Sequence, residues 1–195
     1  RILLLTFTRR AAGEMLRRVE GLLSRQAGGS SFVRDARVWG GTFHAIATRL
    51  LRLYGKSIGL AAGFTIHDRS DSEDLLNVVR TELGLAKSDK RFPKKGTCMS
   101  IYSRCVNSRQ RLAPVLKRHF PWFDEWEDEL KRLFDAYVDR KEAAAVLDYD
   151  DLLLYWAQMA AVPELAAELG ERFRHVLVDE YQDTNRLQAE ILLAL

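Results

Sequence analysis

The chain has 195 residues, 47% of them apolar and 29% charged, enough to bury one good core or two small ones. No apolar run approaches the ~18 residues of a membrane-spanning helix, and no secretory leader pattern opens the chain, which starts at Arg1. Two cysteines seven positions apart, Cys98 and Cys105, suit free thiols in a reducing compartment, and the four histidines are too scattered for a zinc-type cluster. The net charge of +3 hides an asymmetry: residues 1–60 carry 11 Lys and Arg against 3 Asp and Glu, and residues 61–125 carry 12 against 8, whereas residues 126–195 carry 7 against 16. A basic front part fits contact with a polyanion and equally fits solvated Arg-rich helices.

In chain order, Ile2–Thr6 is continuous and apolar and predicts a buried strand. Arg10–Ser24 places Ala12, Met15, Leu16, Val19, Leu22 and Leu23 at helical spacing. A Gly/Ser-rich loop at 26–31 leads to a second strand over 36–40, then a helix His44–Tyr54 that Gly55 ends. This strand–helix–strand–helix order predicts a parallel α/β layer. The period then changes. Phe64–His67 is a short extended piece, and a helix begins at Ser70 with Glu73 completing a cap and runs to Leu83. Helices are predicted over Thr97–Arg109, Pro114–Phe120 and Asp124–Ala143. Trp122, Phe123, Trp126, Leu130, Leu133, Phe134 and Tyr137 are expected to pack in a helical core. No strand pattern appears between about Asp68 and Arg174. Helices Tyr149–Ala161 and Pro163–Arg172 lead to a strand over His175–Val178. The organisation expected is α/β: a partial parallel sheet over 1–57 and 148–195, carrying a mostly helical insertion over 58–147.

Two places carry chemistry. The strand His175–Val178 suits burial on both faces and runs into Asp179, Glu180, Tyr181, Gln182, Asp183 and Thr184. In open α/β sheets ligands sit beyond the carboxyl ends of strands. An aspartate there can hold Mg²⁺ beside a nucleotide, and an adjacent glutamate can orient a water. The plainer reading is an acidic helix entry, with Asp183 or Thr184 capping a helix over Asn185–Leu195. The second place is a repeated corner, Thr6-Phe7-Thr8 and Thr42-Phe43-His44, where a strand gives way to a helix. Free N–H groups and the helix dipole favour a phosphate there, and the Phe rings offer faces on which bases stack. Plain N-caps for Thr8 and Thr42, and core packing for each Phe, are the competing readings.

Together these segments resemble the superfamily 1 DNA helicases of the UvrD/Rep/PcrA type. Leu5–Met15 is similar to their motif Ia, Gly41–His44 to motif Ib, and Asp179–Asn185 to motif II, in the family's order. Leu147–Leu153 resembles a stretch that precedes motif II, and Arg9-Arg10 stands where the family usually has Asn-Lys. The resemblance implies a RecA-like domain 1A carrying an inserted 1B subdomain, ATP and Mg²⁺ as cofactors, and single-stranded and junction DNA as partners. It implies 3′-to-5′ translocation in DNA repair or recombination, in the bacterial cytoplasm at the nucleoid. Asp179 would hold Mg²⁺, Glu180 would polarise the attacking water and Gln182 would sense the γ-phosphate. Tyr181 would pack, and Asp183 and Thr184 would brace the corner. Thr6, Phe7, Thr8, Thr42, Phe43 and His44 would face single-stranded DNA. The basic set Lys87, Lys90, Arg91, Lys94, Lys95, Arg104, Arg109 and Arg111 offers a duplex contact, against a merely solvated face. A helicase–nuclease of the AddA/RecB kind and a non-catalytic DNA-binding remnant are the alternatives. The phosphate loop G-x-x-x-x-G-K-[ST] is not in the sequence. Gly55-Lys56-Ser57 only imitates its tail, since Leu50 stands where its first glycine is needed. The chain is therefore expected to be a fragment, inactive by itself.

Overall fold

A computed structural model describes residues 1–26, 38–87 and 92–195. The expected 26–31 loop beyond Gln26, the first two residues of the expected second strand, and Lys90 and Arg91 lie outside the described residues. Two compact units appear: residues 1–60 with 155–195, and residues 61–154.

The first unit contains a three-stranded sheet. Strand β1 (Ile2–Thr6) leads into helix α1 (Arg9–Gln26), and β2 (Val38–Thr42) leads into α2 (Phe43–Tyr54). The sheet order is β2-β1-β5, where β5 is His175–Val178, and both pairings are parallel. Central β1 is buried from Leu3 to Thr6, as its unbroken apolar run requires. Gly40 lets α1 approach, because a Cβ there would lie 2.6 Å from the Leu16 side chain. The sheet's carboxyl edge aligns Thr42 with Thr6, and Leu5 with Val178. Strand β5 corrects one expectation: its exposure alternates, and Leu177 is 56% exposed. Among the described residues β5 pairs only with β1. The imitation loop Gly55–Ile58 is a 3₁₀ turn after α2 with Lys56 and Ser57 exposed, not a phosphate cradle.

The second unit starts with β3 (Thr65–Ile66) and α3 (Arg69–Glu82), continues through α4 (Lys95–Ser108), α5 (Leu112–His119) and α6 (Glu127–Ala143), and reaches β4 (Val146–Leu147). Helix α7 (Tyr149–Ala160) then leads to α8 (Pro163–Arg172), β5 and α9 (Arg186–Leu193) of the first unit. Leu76, Met99, Ile101, Leu116, Leu130, Leu133 and Tyr137 form the helical core. Three expectations need correcting here. Strand β4 was not foreseen: it pairs with β3, Thr65 N donating to Ala145 O at 3.0 Å and His67 N to Leu147 O at 2.9 Å. Two residues carry no period to read, and the partner is distant in sequence. Helix α3 is capped by Asp68 with Asp71 in a reciprocal box, not by Ser70 with Glu73. Trp122, expected in the core, is 69% exposed, while Phe123 and Trp126 pack against it only partly covered.

The helical unit runs to Leu154, and the first turn of α7 is locked by a buried ionic cluster. Lys141 Nζ donates to Asp148 at 2.7 Å and Asp151 at 2.5 Å, with 3%, 4% and 9% of the three side chains exposed. Tyr137 Oη donates to Asp148 at 2.9 Å. Asp148 and Asp151 cap each other's backbone N–H groups at 2.8 and 2.9 Å. Asp150 accepts from Ser103 and Asn107 of α4. Burial, and next the charge of Asp148, pushes Asp151 up to about 6 and raises Asp150 as well. The segment 147–153, singled out by resemblance, thus has a structural role.

Candidate nucleotide and nucleic-acid edge

Strand β5 delivers Asp179 to the carboxyl edge of the sheet, where its N–H donates to Leu5 O at 2.9 Å and continues the β1 ladder. Thr6 Oγ1 donates to Asp179 Oδ2 at 3.4 Å. Glu180 follows in a left-handed conformation, φ 52° and ψ 46°. For a residue with a Cβ this costs about 1 kcal/mol or more. It turns Glu180 off the strand line, so the two adjacent carboxylates do not simply alternate across the sheet. Gln182 Nε2 donates to Glu180 Oε2, and Thr184 Oγ1 closes the 3₁₀ turn Tyr181–Asp183 onto Tyr181 O at 2.8 Å. Asp179, Glu180, Gln182 and Asp183 are exposed. Tyr181, expected to pack, is 55% exposed. The helix cap expected at Asp183 or Thr184 is Asn185, in a reciprocal box with Gln188 at 2.8 and 3.0 Å.

Both predicted corners are strand-to-helix corners. Thr8 Oγ1 accepts from Ala11 N at 3.1 Å, and Thr42 Oγ1 accepts from Ala45 N at 3.2 Å, so each is an N-cap. No acid lies in the first turn of α1 or α2. Helix α1 begins with exposed Arg9 and Arg10, two cations at the end where the dipole disfavours them by a few tenths of a kcal/mol each. That arrangement costs stability unless an anion visits.

The rings divide. Phe43 is 1% exposed, with Phe7 at 5.7 Å and Trp156 of α7 at 6.2 Å between centroids. It is a core ring, which corrects the expectation that a base stacks on it; Phe7 remains half-buried. Thr6 is 2% exposed, so its hydroxyl does not reach outward. His44 is half-buried and burial holds its imidazole below its ordinary value, so it is neutral at neutral pH. The edge therefore gathers Thr6, Phe7, Thr8, Thr42, His44 and the acids of 179–183 in one unit.

The other predicted contacts lie in the helical unit. Lys94 and Arg104 are exposed. Lys95 pairs with Asp74, whose hydrogen bond raises its ammonium. Arg109 is exposed at the left-handed end of α4, φ 54°. Arg104 and Arg118 add to the desolvation that lowers His119. Phe92 and Tyr102, the aromatics among these charges, are buried and offer no stacking face. The Thr6–Asp179 bond, the left-handed backbone at Glu180 and buried Lys141 were not foreseen; only the two carboxylates after a strand hinted at the first.

Asp179 fits a hard divalent cation through part of its shell: an exposed carboxylate with one oxygen directed by Thr6 and other lone pairs open. Among the described residues, no group of three or more His, Cys, Asp or Glu is placed to hold a metal. A cation here would need other oxygens, such as phosphates. No helix among the described residues is long and apolar enough to cross a membrane.

A parallel sheet whose carboxyl edge joins an acid pair to two helix N-termini defines a class of α/β domain built to meet phosphates. A family model described as UvrD/REP helicase N-terminal domain matches residues 1–195, and the chain belongs to that family. It is 36% identical over 192 residues to an ATP-dependent DNA helicase UvrD1 of Mycobacterium tuberculosis, covering 96% of this chain and 23% of the relative. It is 35% identical over 189 residues to a DNA helicase II of Haemophilus influenzae (96% and 24%). With an ATP-dependent DNA helicase PcrA of Leuconostoc citreum, identity is 34% over 193 residues (98% and 24%). The chain spans about a quarter of the length of these relatives.

Proposed function

We propose that this chain is part of the first motor domain, 1A with its 1B insertion, of an ATP-dependent DNA helicase. It would move 3′ to 5′ on single-stranded DNA at junctions, in repair or recombination, in the bacterial cytoplasm. The names of its relatives support the activity. The observation that carries the reading is the single sheet edge on which Asp179 and Glu180 stand beside the Thr8 and Thr42 caps. Mg²⁺ bound with ATP would neutralise phosphate charge there. Asp179 would hold the ion, and Glu180 would orient water for attack. Gln182, which donates to Glu180, would exchange that bond for the γ-phosphate. The N-termini of α1 and α2 would grip successive DNA phosphates, with Phe7 against a base. Lys94, Arg104 and Arg109 would touch the duplex.

Binding of single-stranded oligonucleotides by the full-length protein tests this. Affinity should fall as salt rises, and Phe7→Ala should lose about 1–3 kcal/mol of it. Phe43→Ala should instead lower unfolding stability by about 3–5 kcal/mol, as removal of a buried ring does, and leave the affinity of the folded protein unchanged. Unaltered affinity in Phe7→Ala would remove this corner from the DNA path.

A further inference from the structure

We propose that Thr6 is a positioning residue for the Asp179 carboxylate and does not contact DNA. The proposal rests on Asp179 as the magnesium-side acid. Thr6 ends the central strand, opposite Thr42 on one side and next in line to Asp179 on the other. At 2% exposure its hydroxyl is closed to a phosphate from solvent, and it donates to Asp179 Oδ2 at 3.4 Å. A strand threonine is stiff at χ1, so the hydroxyl holds one direction. The Asp179 backbone is fixed by its bond to Leu5 O; the remaining freedom is rotation of an exposed carboxylate. At 3.4 Å the bond is long, so it acts on the direction of the carboxylate more than on its energy. With Oδ2 engaged by Thr6, Oδ1 and the remaining lone pairs of this exposed carboxylate are left for a cation. Hydrogen-bond partners behind a metal ligand commonly set its affinity in this way. The same residue precedes Phe7 and the Thr8 cap, so the acid and the α1 corner share one support.

The test is an equilibrium Mg²⁺ titration of the full-length protein, read by binding of a fluorescent non-hydrolysable ATP analogue, beside nucleotide-free oligonucleotide affinity and melting temperature. Thr6→Val should raise the Mg²⁺ midpoint about tenfold, the low end of the range for such partners. DNA affinity should stay unchanged and melting close to the parent's. Thr6→Ala should shift the midpoint the same way, and serves if valine does not fold; Thr6→Ser, which keeps the hydroxyl, should stay near the parent. Loss of DNA affinity in Thr6→Val with an unmoved midpoint would overturn the proposal, as would equal shifts in the valine and serine variants. Asp179→Ala separates the two levels. If it leaves the midpoint unmoved, the reading of Asp179 fails. If it moves the midpoint and Thr6→Val does not, only the role of Thr6 fails.

Discussion

Glu180→Gln in the full-length protein should lower ATP hydrolysis by about 10²–10⁴-fold, the span of a positioned acid–base group, while nucleotide and DNA binding stay near the parent's. Two features isolate the carboxylate in this way. The left-handed backbone at Glu180 turns it off the strand that carries Asp179, so its loss leaves the cation-side acid in place. Glutamine keeps the length of the side chain and can still meet Gln182, the present hydrogen-bond partner of Glu180. Single-turnover hydrolysis alongside equilibrium analogue binding checks it. Hydrolysis at the parental rate would take Glu180 out of the chemistry. Loss of nucleotide binding in step with turnover would make it a binding group.

Lys141→Met should destabilise the helical unit by about 3–5 kcal/mol, the usual cost of stripping one partner from a buried ion pair. The ammonium is 3% exposed and lies against both Asp148 and Asp151, and methionine fills the space without the charge. The penalty depends on pH. Asp151 is raised to about 6, above its unfolded value of about 3.9. The folded state therefore binds more protons between those values. The stability this group contributes is full below about pH 4 and is lost as pH rises through 6. Without the ammonium, the carboxylate pair can relieve its repulsion only by taking a proton, so the penalty should be smaller at pH 5 than at pH 8. Denaturant titrations at the two pH values measure it. A cost under ~1 kcal/mol, or one that grows toward acid pH, would show that the cluster is not held by this ion pair.

Sequence made the sheet edge legible because its signals are local. An unbroken apolar run marks β1, helical spacing follows it in α1, and two carboxylates after His175–Val178 mark the end of β5. What escaped was set by partners far along the chain. Phe43 at a helix start allows both a stacking and a core reading until Trp156 of α7 is placed against it. Thr6 looks like one more corner hydroxyl until β5 pairs beside it. Nothing local marks Lys141 for burial, and only the return of the chain at Asp148 and Asp151 buries it. The caps at Asp68 and Asn185 fell within a few residues of the expected ones, since several polar residues compete at each helix start and the backbone path selects among them.

One sheet edge is proposed to serve both nucleotide and DNA. A crystal structure of the full-length protein with a non-hydrolysable ATP analogue, Mg²⁺ and a single-stranded oligonucleotide tests it most directly. The ion is expected on the Asp179 side of the edge, directly or through one water. Glu180 is expected to face the γ-phosphate, with DNA phosphates at the N-termini of α1 and α2. An ion held away from Asp179, or a strand that bypasses both Thr8 and Thr42, would contradict it.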